Sequence, residues 1–351
     1  MKKPLIIGFC GTAKNTGKTT TMKVVMDGAY ARGVTIALTS IGYDGELLDH
    51  ITGLPKPRIH ALKGTLVAVS DSCAKASTAE IEILKRTEIE TALGKVVIGR
   101  VRKPGLILLA GPTKSVDIRR ANDYLREYGA DLVLVDGALS RIAPMVDMDG
   151  IVMATGASRT NNIELLAEET GAIAAVYELP LWPGDEAATE AMEREGRLVR
   201  AGSLLDESMT EAALAKVGPK TEALALDGII GNLGFESLLD TGLEKMAGKA
   251  IVMKDPIKLL VAGSPTELRA WMSKFVEAGI RLYVARQVFL RLITVNPFYP
   301  QYRYTNHDYE AAYVDKEKLK EAMRKAVAAP VVNVLDETEE QIFARVAKEL
   351  V

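Results

Sequence analysis

The stretch Gly11-Thr12-Ala13-Lys14-Asn15-Thr16-Gly17-Lys18-Thr19-Thr20 gathers two glycines, two lysines and four threonines into ten positions. It follows the apolar run Leu5-Ile6-Ile7-Gly8-Phe9-Cys10 and leads into a helical pattern carrying Met22, Val24, Val25 and Met26. A strand, a glycine-rich turn and a helix start in that order make an anion cradle, because successive backbone N–H groups converge where the helix begins. Gly17 lets the backbone approach a phosphate closely, Lys18 supplies a compact positive charge, and the Thr19 hydroxyl suits a magnesium ion. Gly11, Thr12, Lys14, Asn15, Thr16, Gly17, Lys18, Thr19 and Thr20 are therefore the expected nucleotide contacts. The competing reading is a strand-to-helix turn with no ligand.

Carboxylates that could hold a metal beside such a loop lie at two places. Asp131-Leu132-Val133-Leu134-Val135-Asp136-Gly137-Ala138 reads as a buried strand delivering Asp136 at its end, where a magnesium-organising acid is wanted. The second is Asp44, in Ile41-Gly42-Tyr43-Asp44-Gly45-Glu46 after the second strand, with Glu46 and Asp49 as rivals and a solvated turn as the plain alternative. Lys18 and Asp136 are thus the expected catalytic pair, and Thr19, Asp44 and Asp136 the expected metal ligands. The three histidines and two cysteines have no zinc spacing.

The elements that must position these residues follow one rhythm, an apolar run, a turn, a helix and a second apolar run. It occurs at Leu5 to Leu38, at Leu106 to Asp136, and at Leu259 to Ala285. Strands without polar alternation, separated by helices, predict a doubly wound, mostly parallel α/β sheet covered on both faces, with a second, smaller α/β domain. In the third repeat Ser264-Pro265-Thr266-Glu267 predicts a helix start with a capping box. Residues 185–222 read as charged helices with breaks. The boundary is drawn there, giving a nucleotide-binding domain over 1–210 and a substrate- or partner-binding domain over 211–351.

With 351 residues, 48% hydrophobic and 26% charged, the chain has ordinary globular composition. Its 44 Lys and Arg against 46 Asp and Glu leave a net charge of −2, which disfavours general nucleic-acid binding. No apolar run approaches the length of a membrane span. Two cysteines make no disulfide framework, so the expectation is a cytoplasmic protein with no membrane or nucleic-acid partner. A homodimer is one assembly this allows. The basic group Lys95, Arg100, Arg102 and Lys103 reads as a solvated face, and the loop from Asn296 to Tyr304, rich in proline and aromatic residues, as a partner or ligand surface or as packing on the sheet edge.

The glycine of the loop stands at Gly11, one place before the usual position, and Gly-Thr-x-x-x-x-Gly-Lys-Thr resembles the loop of dethiobiotin synthetase and the cobyrinic acid synthetase-like P-loop enzymes. Lys14-Asn15-Thr16-Gly17-Lys18-Thr19-Thr20 is also similar to the loop of the GTP-binding adapters of molybdopterin cofactor assembly. Asp136-Gly137-Ala138 resembles the Glu-Gly-Ala segment of dethiobiotin synthetase, with Leu139-Ser140 in place of two glycines. Ala174 to Pro183, with Trp182, is similar to the stretch that lies by adenine in that family. Over residues 4–185 the resemblance implies a P-loop NTPase using ATP, or GTP, with Mg2+. The family's Lys-Pro pair is replaced here by Leu38-Thr39-Ser40-Ile41, and the C-terminal half lacks the cysteine of a glutaminase. A partner-coupled NTP hydrolase, acting on an unknown protein client or small substrate, is thereby favoured. An ATP-dependent ligase activating a carboxylate or carbamate, and a non-catalytic nucleotide-responsive module, are the alternatives.

Overall fold

Runs of apolar residues without polar alternation become strands buried on both faces, and neighbouring runs pair side by side. The computed structural model describes residues 3–42, 59–139, 142–261, 263–305 and 307–351. Among these, nine strands form one mixed sheet. From edge to edge they are Val331–Val332, Leu290–Asn296, Gly150–Gly156, Leu5–Gly11, Leu132–Asp136, Ile36–Ser40, Leu66–Ser70, Gly94–Lys103 and Glu80–Thr91. The first seven run parallel, and their central members are almost wholly buried. The last two are antiparallel, and Glu80–Thr91 alternates exposed and half-buried residues because one of its faces meets water. Its basic neighbours are paired across this hairpin: Lys95 with Glu88, Arg102 with Glu82 and Lys103 with Glu80, so most of that cationic group is neutralised at the surface.

The chain divides into two compact units, Met1–Ala167 with Phe289–Val351, and Glu168–Val288. This differs from the expected break near 210 and from a domain running over 211–351. The strand Leu290–Asn296 pairs in parallel with Gly150–Gly156, which carries the chain's last sixty or so residues back into the first unit. The helix Glu339–Val346 then packs on the helix Lys18–Ala31 over a shared core of Met22, Val25, Met26, Phe343 and Val346.

The unit Glu168–Val288 has its own four-stranded parallel sheet, Leu198–Ala201, Ala223–Leu226, Ala250–Met253 and Arg281–Val284, in chain order. Its core includes Phe235, Trp271 and Phe275, with the Phe235 and Trp271 rings stacked at 4.6 Å.

Two of the three repeated patterns are corrected in detail. Leu106 to Gly111 is not a parallel strand: only Gly105–Ile107 is extended, and it pairs antiparallel with Ile59–Ala61. Leu259 and Leu260 lie in a short helix, Ile257–Leu260, and the strand is the earlier, β-branched-rich Ala250–Met253. The helix Pro265–Glu277 starts with proline at its first position as expected, but the Ser264 side chain makes no capping bond and instead meets Thr266.

Candidate phosphate-binding site

The candidate loop leaves the central strand Leu5–Gly11 at its carboxyl end and enters the 14-residue helix Lys18–Ala31. Two residues of it are left-handed, Asn15 at φ 62° and Gly17 at φ 87°, and Gly17 is the cap of the helix. Glycine takes that conformation without penalty and asparagine is among the residues that tolerate it. The helix start has no side-chain cap and no acidic residue in its first turn, so the positive end of the helix dipole is left for an external anion. Among the described residues, none accepts a hydrogen bond from the backbone N–H of Thr16 or Gly17. The Thr16 hydroxyl closes the turn on itself by donating to the Ala13 carbonyl at 3.0 Å.

The displaced glycine has a steric reason. A Cβ on Gly11 would lie 2.8 Å from the Thr16 hydroxyl and 3.2 Å from the Ala13 carbonyl, so this position must be bare for the loop to fold back. Thr12 occupies the place where glycine is usual because it is tied to the neighbouring strand. Its N–H donates to the Ala154 carbonyl at 3.0 Å, and its hydroxyl shares a hydrogen bond with that of Thr155 at 2.9 Å.

Asp136 ends the strand Leu132–Asp136, in register with Phe9 on the loop strand. Its carboxylate accepts from the Lys18 ammonium at 2.5 Å, and the two side chains are 6% and 14% exposed. The structure therefore brings together the two residues expected to be catalytic. Removing so close a pair from water strengthens its attraction while charging a desolvation cost, which is repaid where the geometry is good and the remaining lone pairs and protons find partners. Thr19 and Thr20 lie in the first helical turn and Lys14 in the loop. Asp44, together with its rivals Glu46 and Asp49, lies outside the described residues. Among the described residues no cluster of three or more His, Cys, Asp and Glu has metal-binding geometry. The donor set that the strand end and helix start do offer, a carboxylate at Asp136 and a hydroxyl at Thr19, consists of hard oxygen atoms of the kind magnesium takes together with phosphate oxygens and water.

Cys10, just before the loop, is fully buried, and burial pushes its thiol up to about 12, against the smaller opposing influence of the Lys18 ammonium. It is a packing residue. Ser40, at the end of the strand that pairs with Leu132–Asp136, spends its hydroxyl on the Gly42 carbonyl, and Thr39 spends its own on the Ala68 carbonyl. Trp182 packs edge-on against Tyr283 at 5.3 Å and donates its indole N–H to Thr189, all within the unit Glu168–Val288.

One contact to the loop was not foreseen from the sequence. The Asn296 side-chain amide donates to the Asn15 carbonyl at 2.9 Å from the end of a strand 281 residues further on. Its only local signal is an apolar run, Leu292-Ile293-Thr294-Val295, stopped by Asn-Pro. No protein-family model matches the chain, and no curated protein matches it. Among the described residues no helix is long and apolar enough to cross a membrane.

Proposed function

We propose that this protein is a magnesium-dependent P-loop NTPase, with ATP preferred and GTP as the rival, that couples nucleotide binding or hydrolysis to a protein client or small substrate. The observation that carries the reading is the loop itself: left-handed Asn15 and Gly17, N–H groups of Thr16 and Gly17 without acceptors among the described residues, a helix start with no side-chain cap, and Lys18 held against Asp136. Such a site favours a polyphosphate over a neutral ligand, because the loop N–H groups, the helix start and Lys18 supply donors and positive charge beside the Asp136 carboxylate.

In this reading Lys18 exchanges the Asp136 carboxylate for phosphate oxygens and neutralises charge that develops on them. The amides of the loop hold the phosphates in place without reorganising. Thr19 and Asp136 would hold magnesium, which supplies charge neutralisation on the phosphate oxygens when bound. The hydrolase reading is preferred to the ligase because the strand end Thr39-Ser40 presents hydroxyls already bonded to backbone carbonyls, where the ligases carry a lysine.

Asp136→Asn separates binding from chemistry. It keeps an oxygen for Lys18 and removes the charge wanted for the metal, so nucleotide affinity should fall by less than about tenfold while turnover falls by about a hundredfold or more. Steady-state phosphate release beside equilibrium titration measures both. Equal losses in the two, with the fold intact by circular dichroism, would count against a metal role. Turnover raised by a protein fraction supports the coupled NTPase, and turnover raised by a small carboxylic acid supports the ligase.

A further inference from the structure

The loop's left-handed turn is held from outside the loop. Asn296 closes the strand Leu290–Asn296, next but one to the loop strand in the sheet. Its Nδ2 donates to the Asn15 carbonyl at 2.9 Å, while its Oδ1 accepts from the Phe298 N–H at 3.1 Å, so both ends of the amide are engaged and its orientation is fixed. Its backbone is pinned as well. The Asn296 carbonyl accepts from the Ala157 N–H at 2.9 Å, and a Cβ on Gly156 would come within 2.2 Å of that carbonyl, so the neighbouring strand packs on it with no slack. A Cβ on Gly17 would meet the Asn296 side chain at 3.7 Å, which places this one residue beside both left-handed positions of the loop.

A trans peptide is planar, and its C=O and N–H point in opposite directions. The contact that fixes the Asn15 carbonyl therefore also fixes the next group along, the Thr16 N–H, pointing away from Asn296 and toward none of the described residues as an acceptor. Left-handed backbone is disfavoured at residues other than glycine, less so at asparagine, and persists where its surroundings determine it. Without the Asn296 amide the Asn15 carbonyl loses this bond, and a flip of the Asn15–Thr16 peptide would remove one donor from the cradle.

We propose that Asn296 is a positioning residue for phosphate binding: it presets the Asn15–Thr16 peptide so that the Thr16 N–H faces the anion before the anion arrives. This rests on the nucleotide reading of the loop and adds to it that the site is completed by the returning C-terminal segment. Since the residue acts through the loop's backbone, its loss should weaken any ligand that carries the phosphates, whatever else the ligand carries.

The test compares magnesium-ATP with magnesium and inorganic tripolyphosphate on the full-length chain. Asn296→Ala should raise both dissociation constants by a similar factor, about tenfold, while Gln301→Ala, at an exposed side chain five residues further on, changes neither by more than about twofold. If Asn296→Ala weakens ATP and leaves tripolyphosphate unchanged, the residue reads the nucleoside and the proposal is overturned; unchanged binding of both overturns it too. Wild-type protein that binds neither ligand defeats the nucleotide reading itself, a result distinct from these. Should Asn296→Ala fail to fold, the wild-type protein still decides: tripolyphosphate should shift the assigned Thr16 backbone amide resonance together with the Asn296 side-chain amide, and an unmoved Thr16 amide would reject the proposal.

Discussion

At the scale of single residues, the site depends on groups whose surroundings set their behaviour. Cys10 lies one residue before the loop, and burial holds its thiol at about 12 in the folded chain against 9.0 when free. Between those values the unfolded chain has lost the proton and the native one has kept it, so stability falls as pH rises through that window. Cys10→Ala should flatten this alkaline slope, as measured by urea unfolding at pH 8, 9 and 10, and a variant with the same slope as wild type would contradict the assignment. At neutral pH the native thiol should resist alkylation for as long as the fold survives. The loop was legible because its chemistry is contained in ten consecutive positions: Gly17, Lys18 and Thr19 declare themselves locally, and Asp136 is marked by the apolar strand before it. Asn296 was not legible, because its contact to Asn15 exists only once its strand has joined the sheet, next but one to the loop strand. The position of Gly11 was noted in the sequence, but its cause, the Thr16 hydroxyl 2.8 Å from where a Cβ would stand, belongs to the folded loop.

At the scale of elements, unalternating apolar runs announced the parallel strands because those strands are covered on both faces. The same signal misled at Leu259-Leu260, since a short apolar run does not tell a buried helix from a strand. The helix that begins at Lys18 is anchored along its length by the helix Glu339–Val346. A Cβ on Gly28 would lie 2.5 Å from the Glu339 carbonyl and 2.6 Å from the Phe343 Cβ. Alanine there would gain about 1 kcal/mol in helix propensity, yet overpacking against a backbone carbonyl that cannot swing aside costs about 1–3 kcal/mol. Steric cost should win, so Gly28→Ala should lower the denaturant midpoint of the first unit. A variant as stable as wild type, or more so, would show that the two helices are not packed this closely.

At the scale of the whole molecule, the sheet that carries the loop is finished by residues that come after a 121-residue unit, Glu168–Val288, with a sheet and core of its own. That return could not be read from the sequence, because the apolar run at Leu290–Asn296 reads the same whichever sheet it joins, and only strand pairing tells which. Separate cores predict separate melting. Calorimetry should resolve two transitions, and magnesium-ATP at a hundredfold excess over its dissociation constant should stabilise only the one belonging to the loop's unit, by about 2.7 kcal/mol. A single transition that moves as one would contradict this.

Titration calorimetry of magnesium-ATP into the wild-type chain and into Lys18→Ala tests the central claim most directly. Saturable one-to-one binding by the wild type, weakened by a hundredfold or more in the folded variant, is the result expected. Wild type and variant binding with equal affinity, or neither binding ATP or GTP, would contradict it.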